Sequence, residues 1–256
     1  MNSFFKHMLL MLLLASTLIC KGQKNLTTFG FTYKPMIAGS LINEGESIEK
    51  ENNIEYEVTK LFGYNAGMVI RHNFTKMFAL ETGISFTKRN FKMTVNDLSN
   101  NYFFEREFAT TAYEIPIQGL VYVQLNKEIF MDVSFGFVAD ILPSNVAVIS
   151  GDRKLFMEGQ RNNWLQGALT ANIGWEWRTK KLGAFYIGGT YHRTFGDMYG
   201  FLVQYEYDST DPKSSPTRIL NITNGNYLTL DFRYFFHSDA EEQAKARKER
   251  RSGRGK

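Results

Sequence analysis

The residues best placed to do chemistry in this chain are charged side chains that recur at alternate positions within apolar stretches. They comprise five carboxylates, three fixed bases and one histidine: Lys34, Arg71, Glu81, Glu114, Asp132, Glu176, His192, Asp231 and Arg233. A charge enclosed by protein must pair, because an unpaired ion away from water is costly. The pattern therefore predicts a salt-bridged interior. A narrow, gated path for protons or ions and an active site are the alternatives that these residue types leave open.

Known catalytic motifs do not occur in the sequence. It contains no nucleophile elbow, phosphate-binding loop, dinucleotide fingerprint or paired-histidine metal helix. A lipid-modifying barrel enzyme would need a nucleophile or base near the outer leaflet, and His192 is the only candidate, whereas His72 and His237 are expected at the surface. We therefore predict a protein that is not an enzyme and that holds neither a cofactor nor a metal.

The alternation that carries these charges predicts β-strands, because successive side chains of a strand point to opposite faces. In the last apolar stretch Asp231 and Arg233 point one way, and Leu230, Phe232 and Tyr234 point the other. Eight such stretches of about ten residues occur, centred on residues 29–34, 62–71, 78–86, 113–123, 129–137, 165–177, 185–192 and 227–236. Each predicted strand thus has one polar face and one apolar face.

The connections between these strands alternate in length, which decides the fold class. Short turns are predicted near residues 73–76, 124–127 and 178–181, whereas the other connections are roughly twenty to thirty residues long. Strict alternation of this kind is typical of outer-membrane barrels. We predict an all-β fold, an eight-stranded antiparallel transmembrane outer-membrane β-barrel with long outer loops and short periplasmic turns. Both termini would be periplasmic, and alternation continuing into the loops predicts a barrel that is taller on its outer side.

The two ends of the chain predict three regions. Residues 1–22 read as a signal peptide, residues 23–236 as the barrel and residues 237–256 as a charged periplasmic tail. Cys20 offers an alternative, a lipid-modified cysteine. The formal net charge is +4. Since the tail alone supplies +3, from seven Lys or Arg against four Asp or Glu, the body is close to neutral. We therefore expect no nucleic-acid partner.

The tail is the part in which this chain differs most from a plain barrel. Residues 238–248 predict a short helix, with acids in the first turn and bases after them. Its bases are candidates for binding a partner: Lys245, Arg247, Lys248, Arg250, Arg251, Arg254 and Lys256. The alternatives are a solvated tail and a contact with a periplasmic partner, peptidoglycan or anionic lipid.

Three short segments resemble the PorT-like outer-membrane beta-barrel domain family. They are the signal end Gly22-Gln23, the strand Tyr113-Glu114-Ile115-Pro116-Ile117 and the closing Asp231-Phe232-Arg233-Tyr234-Phe235-Phe236. The resemblance implies a small outer-membrane barrel in contact with lipid, and it brings no catalytic residues. The named member is associated with type IX secretion and gliding, which implies a docking or assembly role within a membrane protein complex. A small diffusion channel is the alternative.

Overall fold

The computed structural model describes residues 26–37, 47–51, 53–152, 154–179, 181–205 and 217–237, with the backbone alone for residues 47–51. The predicted signal peptide and the predicted tail beyond His237 lie outside these residues. The described chain forms fourteen strands, and their bounds in chain order are β1 Leu26–Pro35, β2 Ser47–Glu51, β3 Ile54–Lys60, β4 Tyr64–Asn73, β5 Phe78–Asp97, β6 Tyr102–Gln124, β7 Ile129–Ile141, β8 Val146–Ile149, β9 Leu155–Arg161, β10 Leu165–Arg178, β11 Ala184–Thr194, β12 Asp197–Tyr205, β13 Thr217–Asn224 and β14 Tyr227–Phe235.

Eight of these strands close into a ring, as the sequence predicted. The order around the ring is β1, β14, β11, β10, β7, β6, β5 and β4, which returns to β1, and every pairing is antiparallel. A closed ring leaves no strand edge unpaired, which is what allows a sheet to cross a bilayer. The fold is therefore a β-barrel of the predicted class.

Three short turns join ring strands at one end of the barrel, which we call the short-turn end. They span residues 74–77, 125–128 and 179–183. The last turn depends on Gly183, whose φ of +88° favours glycine. A Cβ at this position would also lie 2.1 Å from the carbonyl oxygen of Phe235. The short turns therefore occur where the alternation predicted them.

The outer wall of the barrel is apolar and exposed. Phe135, Ile173 and Phe232 point outward from three ring strands, and Trp175 and Trp177 lie nearer the short-turn end. A band of exposed apolar residues flanked by aromatic residues is the surface that lipid covers in outer-membrane barrels. Among the described residues, no helix has the length and apolarity needed to cross a membrane.

The far end of the barrel differs from the prediction of a taller barrel. Beyond the ring, β6 pairs with β5, β5 with β3 and β3 with β2, which continues one sheet. The strands β13, β12, β9 and β8 form a separate four-stranded sheet. The two sheets enclose a hydrophobic core, with Tyr56, Phe91 and Phe108 from the first and Met157 and Phe201 from the second. We call this two-sheet structure the cap.

The cap forms because the inward face of the strands changes character where the lumen ends. On β5 the buried Arg89 is followed two residues later by Phe91, and on β6 the buried Glu114 is preceded two residues earlier by Ala112. Apolar side chains at those positions gain stability only when another surface removes them from water. The second sheet supplies that surface, so the extended strands belong to a sandwich above the lumen.

Phe201 is the side chain on which the cap core centres. It is fully buried, and its ring lies 5.7 Å from the ring of Phe91 and 5.1 Å from that of Phe108. Phe201→Ala should therefore cost about 3–5 kcal/mol of cap stability. Hydrogen exchange should show faster exchange of the cap amides and unchanged protection of the ring strands. Phe103→Ala is the control, because Phe103 lies in the cap but is 64% exposed. Equal protection in both variants would contradict this core.

Asp97 holds the β5–β6 turn at the far tip of the cap. Its carboxylate accepts hydrogen bonds from the Asn100 side-chain amide at 2.8 Å and backbone amide at 3.1 Å, from the Ser99 backbone amide at 2.9 Å and from the Tyr205 hydroxyl at 3.2 Å. Burial raises the pKa of Asp97, but these bonds to its charged form outweigh burial and leave the pKa below its ordinary value.

The lowered pKa of Asp97 predicts an acid-sensitive cap tip. A carboxyl whose folded pKa is lowered contributes stability above its unfolded pKa, about 3.9, and this contribution is lost as the pH falls through the folded value. The protection factors of the Ser99 and Asn100 amides should therefore fall as the pH is lowered below about 4. Asp97→Asn should remove this pH dependence. A profile that is the same in both proteins would assign the acid response to another group.

Candidate functional site

All nine charged residues predicted to face the interior do so. Eight of them are buried, with exposed fractions from 0% for Asp132 and Asp231 to 5% for Glu81, and Lys34 is half-buried. Eight strands enclose a space that side chains can fill. The structure divides these residues between two clusters, one toward the short-turn end and one under the cap, which we call the lower and upper clusters.

Glu81 is the centre of the lower cluster. Its Oε2 accepts from Arg71 Nη2 at 3.0 Å, and its Oε1 accepts from Arg233 Nη1 at 2.6 Å. Arg71 also pairs with Glu176 through its Nη1. Paired, charge-assisted hydrogen bonds of this kind are the stronger ones available to a buried ion. The four residues come from β4, β5, β10 and β14, so their bonds cross the lumen and connect opposite parts of the wall.

Asp231 extends the lower cluster toward β1 and β11. It accepts from Arg233 Nη2 at 2.9 Å and lies 3.5 Å from Lys34 Nζ. The hydroxyls of Thr190 and Thr229 each donate to it at 2.6 Å. Asn172 Nδ2 also donates to it at 3.2 Å. Two cations, two hydroxyls and one amide thus satisfy this carboxylate.

Asp132 differs from the other lumen carboxylates. It is fully buried, and neither of its oxygens has a hydrogen-bond partner among the described residues. It interacts electrostatically with Arg71 and Arg233 without contacting either. The period of two in the sequence correctly predicted that Asp132 lies on the inner face. It could not predict that Asp132 has no direct partner, because that depends on which side chains of other strands come near it.

Arg178 also belongs to the lower cluster. It was absent from the predicted set because it lies at the start of a predicted turn. Its Nε donates to Glu176 Oε1 at 2.5 Å. Its guanidinium lies 4.7 Å from the ring centroid of Tyr122 and 4.0 Å from that of Phe130, a stabilising cation–π arrangement. Arg178 therefore closes the short-turn end. Among the described residues the lower cluster has four cations and four carboxylates: Lys34, Arg71, Arg178 and Arg233 with Glu81, Asp132, Glu176 and Asp231.

Glu114 organises the upper cluster. It accepts from Asn65 Nδ2 at 3.0 Å, Thr87 Oγ1 at 2.7 Å, Arg89 Nη2 at 3.3 Å and Tyr227 Oη at 2.7 Å. A carboxylate offers about four lone-pair sites, so Glu114 is saturated. Glu81, Glu114 and Asp132 lie on the consecutive strands β5, β6 and β7, but the structure places Glu114 in a different cluster from the other two.

His192 completes the upper cluster. Its Nε2 lies 3.0 Å from Asp140 Oδ2, and its ring stacks on Tyr227 with centroids 4.4 Å apart. Because it is buried under the cap at 1% exposure, His192 does not face lipid. Asp140 and Arg89 were absent from the predicted set. Continuing the period of two beyond the predicted ends of β5 and β7 would have found both.

One group of residues in the described part of the chain has metal-ligating types close together. The ligand atoms of Glu114, Asp140 and His192 lie within 4.8 Å of one another. Since Glu114 is already saturated by four donors, a metal would have to displace one of them. His192 and Asp140 Oδ2 form an ordinary hydrogen bond, whereas Asp140 Oδ1 has no partner among the described residues. Because Glu114 is saturated, we assign no metal to this cluster.

Comparison with known proteins gives a structural likeness. No family model and no curated protein matches the chain. The chain is similar to the outer membrane protein OprG from Pseudomonas aeruginosa, with a TM-score of 0.51 and 12% identity over 84% of this chain and 98% of that one. The translocator domain of the autotransporter NalP from Neisseria meningitidis aligns with 13% identity over 91% of this chain and 96% of that one, at a TM-score of 0.35. The likeness to OprG shows the fold, an outer-membrane β-barrel.

The lower cluster predicts unequal effects of two carboxylate-to-amide substitutions. Glu81→Gln should lower the free energy of unfolding by about 2–4 kcal/mol, because it removes one buried carboxylate partner from Arg71 and from Arg233 at once. Arg71 then keeps only Glu176, and Arg233 keeps only Asp231. Asp132→Asn should change it by less than about 1 kcal/mol, because no direct hydrogen bond is lost. Urea unfolding of the barrel in lipid vesicles, followed by tryptophan fluorescence, measures both values. Equal losses would contradict the central role of Glu81.

Proposed function

We propose that this protein is a non-enzymatic barrel of the bacterial outer membrane that docks a protein partner and does not conduct solutes. The observation that carries the proposal is the filled interior, with two hydrogen-bonded charge clusters and an apolar cap core above them. A diffusion channel needs a continuous aqueous path, and this interior is occupied by side chains that bond to one another. The proposed enzymatic alternative loses support because His192 lies under the cap.

The cap offers a surface on which a partner could bind. Leu220 and Ile222 point outward from β13 and are each 54% exposed, and Ile149 of β8 is exposed as well. These strands lie at the two edges of the second sheet, away from the ring. Exposed apolar residues on a part of the protein that does not face lipid are typical of protein contacts.

The resemblance to PorT-like barrels supplies the class of partner in this proposal, a component of an envelope secretion or gliding machinery. The short turns and both termini would then lie in the periplasm, with the cap outside. The basic tail would provide a second contact, with a periplasmic protein, peptidoglycan or anionic lipid. The apolar wall would contact outer-membrane lipid.

Planar bilayers test the absence of conduction. The purified protein should give no steady conductance above the background of the bilayer, whereas a general porin inserted under the same conditions should give stepwise currents. Steady current from the wild-type protein would replace the docking role with that of a small diffusion channel.

Affinity capture from envelope membranes tests docking and separates its two surfaces. The substitutions Leu220→Ser and Ile222→Ser together should deplete partners of the cap, and removal of residues 238–256 should deplete partners of the tail. Phe135→Leu, a conservative change in the lipid-facing wall, is the control for handling and should retain both sets. Partner sets identical in all four proteins would exclude both surfaces.

A further inference from the structure

A small cavity lies at the seam between the barrel and the cap. It has a volume of about 40 Å³, and its lining includes Met36 from the end of β1, Lys60 and Leu61 after β3, Arg89 from β5 and Tyr227 from β14. None of these residues is used by the docking surfaces. Two of the lining side chains carry a positive charge, which is unusual in a space this small because like charges repel.

Among the described residues, no carboxylate pairs with Lys60 at the seam. Its ammonium lies 3.1 Å from the side-chain oxygen of Asn224 and 3.5 Å from the carbonyl oxygen of the same residue. An ammonium has three donors, so at least one remains for another acceptor. The neutral oxygens of Asn224 satisfy part of its hydrogen bonding, and no described carboxylate neutralises its charge.

The guanidinium of Arg89 has N–H donors that no described residue accepts. Its Nη2 donates to Glu114 at 3.3 Å, but its Nε and Nη1 are buried and have no hydrogen-bond partner among the described residues. Arg89 is 8% exposed, so bulk water does not satisfy these atoms. Buried, unsatisfied donors on a charged group point to a missing acceptor.

We propose that this cavity binds a small carboxylate, with Lys60 and Arg89 as its two cationic contacts. Guanidinium donors suit the two oxygens of a carboxylate, and the Lys60 ammonium adds a point charge. A water molecule needs about 10–15 Å³ of such space, so the cavity of about 40 Å³ holds about three to four non-hydrogen atoms. A carboxylate with a one-carbon substituent has four such atoms and fits, whereas a phosphate has five and is too large. The apolar side chains of Met36 and Leu61 would contact its short substituent.

The pKa of Lys60 agrees with an anion-binding site. Burial and then the charge of Arg89 lower the pKa of Lys60 to about 8. A bound carboxylate would favour the ammonium form and so raise this pKa. Occupancy would also join β3 and β13 of the cap to β5 of the ring, because Lys60 already contacts Asn224.

Titration calorimetry of the full-length protein in detergent, with sodium acetate added at constant ionic strength, tests this site. The wild-type protein should bind one equivalent of acetate at pH 7. Lys60→Met should weaken binding at least tenfold while keeping the length of the side chain. Lys92→Met is the matched control, since Lys92 lies on β5 in the cap and pairs with Glu105 at 3.4 Å, and it should bind as the wild type does.

Three outcomes would overturn the proposal. Equal binding by the wild type and Lys60→Met would place the acetate elsewhere. Heats from sodium chloride equal to those from acetate would indicate screening of charge alone. Phosphate binding as tightly as acetate would refute the assignment to a carboxylate. Far-ultraviolet circular dichroism of each variant establishes that a loss of binding is not a loss of fold.

The pH dependence of binding gives a separate check. As the pH rises from 7 to 9.5, the Lys60 ammonium loses its proton, and acetate affinity should fall several-fold in the wild type. Arg89 stays charged over this range, and Tyr227, the remaining titratable group among the described residues that line the cavity, donates its hydroxyl to Glu114. An affinity that does not change with pH would exclude Lys60 as a contact.

Discussion

The requirement that buried charges be paired governs the interior of this barrel. A ring of eight strands is too narrow to hydrate a row of ions, so the buried ions pair with one another, and Asp132 alone among the described lumen carboxylates has no direct partner. Glu81 pairs with Arg71 of the neighbouring strand and with Arg233 of β14, and Arg71 pairs in turn with Glu176 of β10. The last two pairs connect strands that are not neighbours in the sheet. The ring is therefore held by backbone pairing around its circumference and by ion pairs across its diameter.

The second constraint is the apolar inner face of the strands that rise beyond the ring. Phe91 and Phe108 cannot continue the charged lumen, and a second sheet carrying Phe201 covers them. The change from ion pairs to an apolar core occurs within two residues along β5. The upper cluster and the seam beside it lie at this change. Arg89 stands there between the charged lumen and the apolar cap core, and its Nε and Nη1 have no partner among the described residues.

The local pattern of the sequence was sufficient to predict the ring but not the cap. A period of two specifies which face each residue occupies, so Asp231 and Arg233 could be placed inside without knowledge of their partners. The short turns followed from the interruptions in that period. The cap depends on pairing between β12 and β9, which are far apart in the sequence and carry no local signal of their contact. The place of Arg178 in the lower cluster was not predicted for a related reason. It depends on contacts with the rings of Tyr122 and Phe130, which lie on other strands and leave no local signal beside the turn.

The central claim is that the lumen is filled and closed to solutes. Ser134 lies on the inner face of β7 at 2% exposure and donates to Gln118, so Ser134→Cys places a thiol of nearly the same size inside the lumen. Ser99→Cys places one in the exposed β5–β6 turn. With a small methanethiosulfonate reagent, the parent chain serving as the background, the account predicts rapid labelling of the second variant and none of the first. Labelling of Ser134→Cys at a rate comparable to that of Ser99→Cys would contradict a closed lumen.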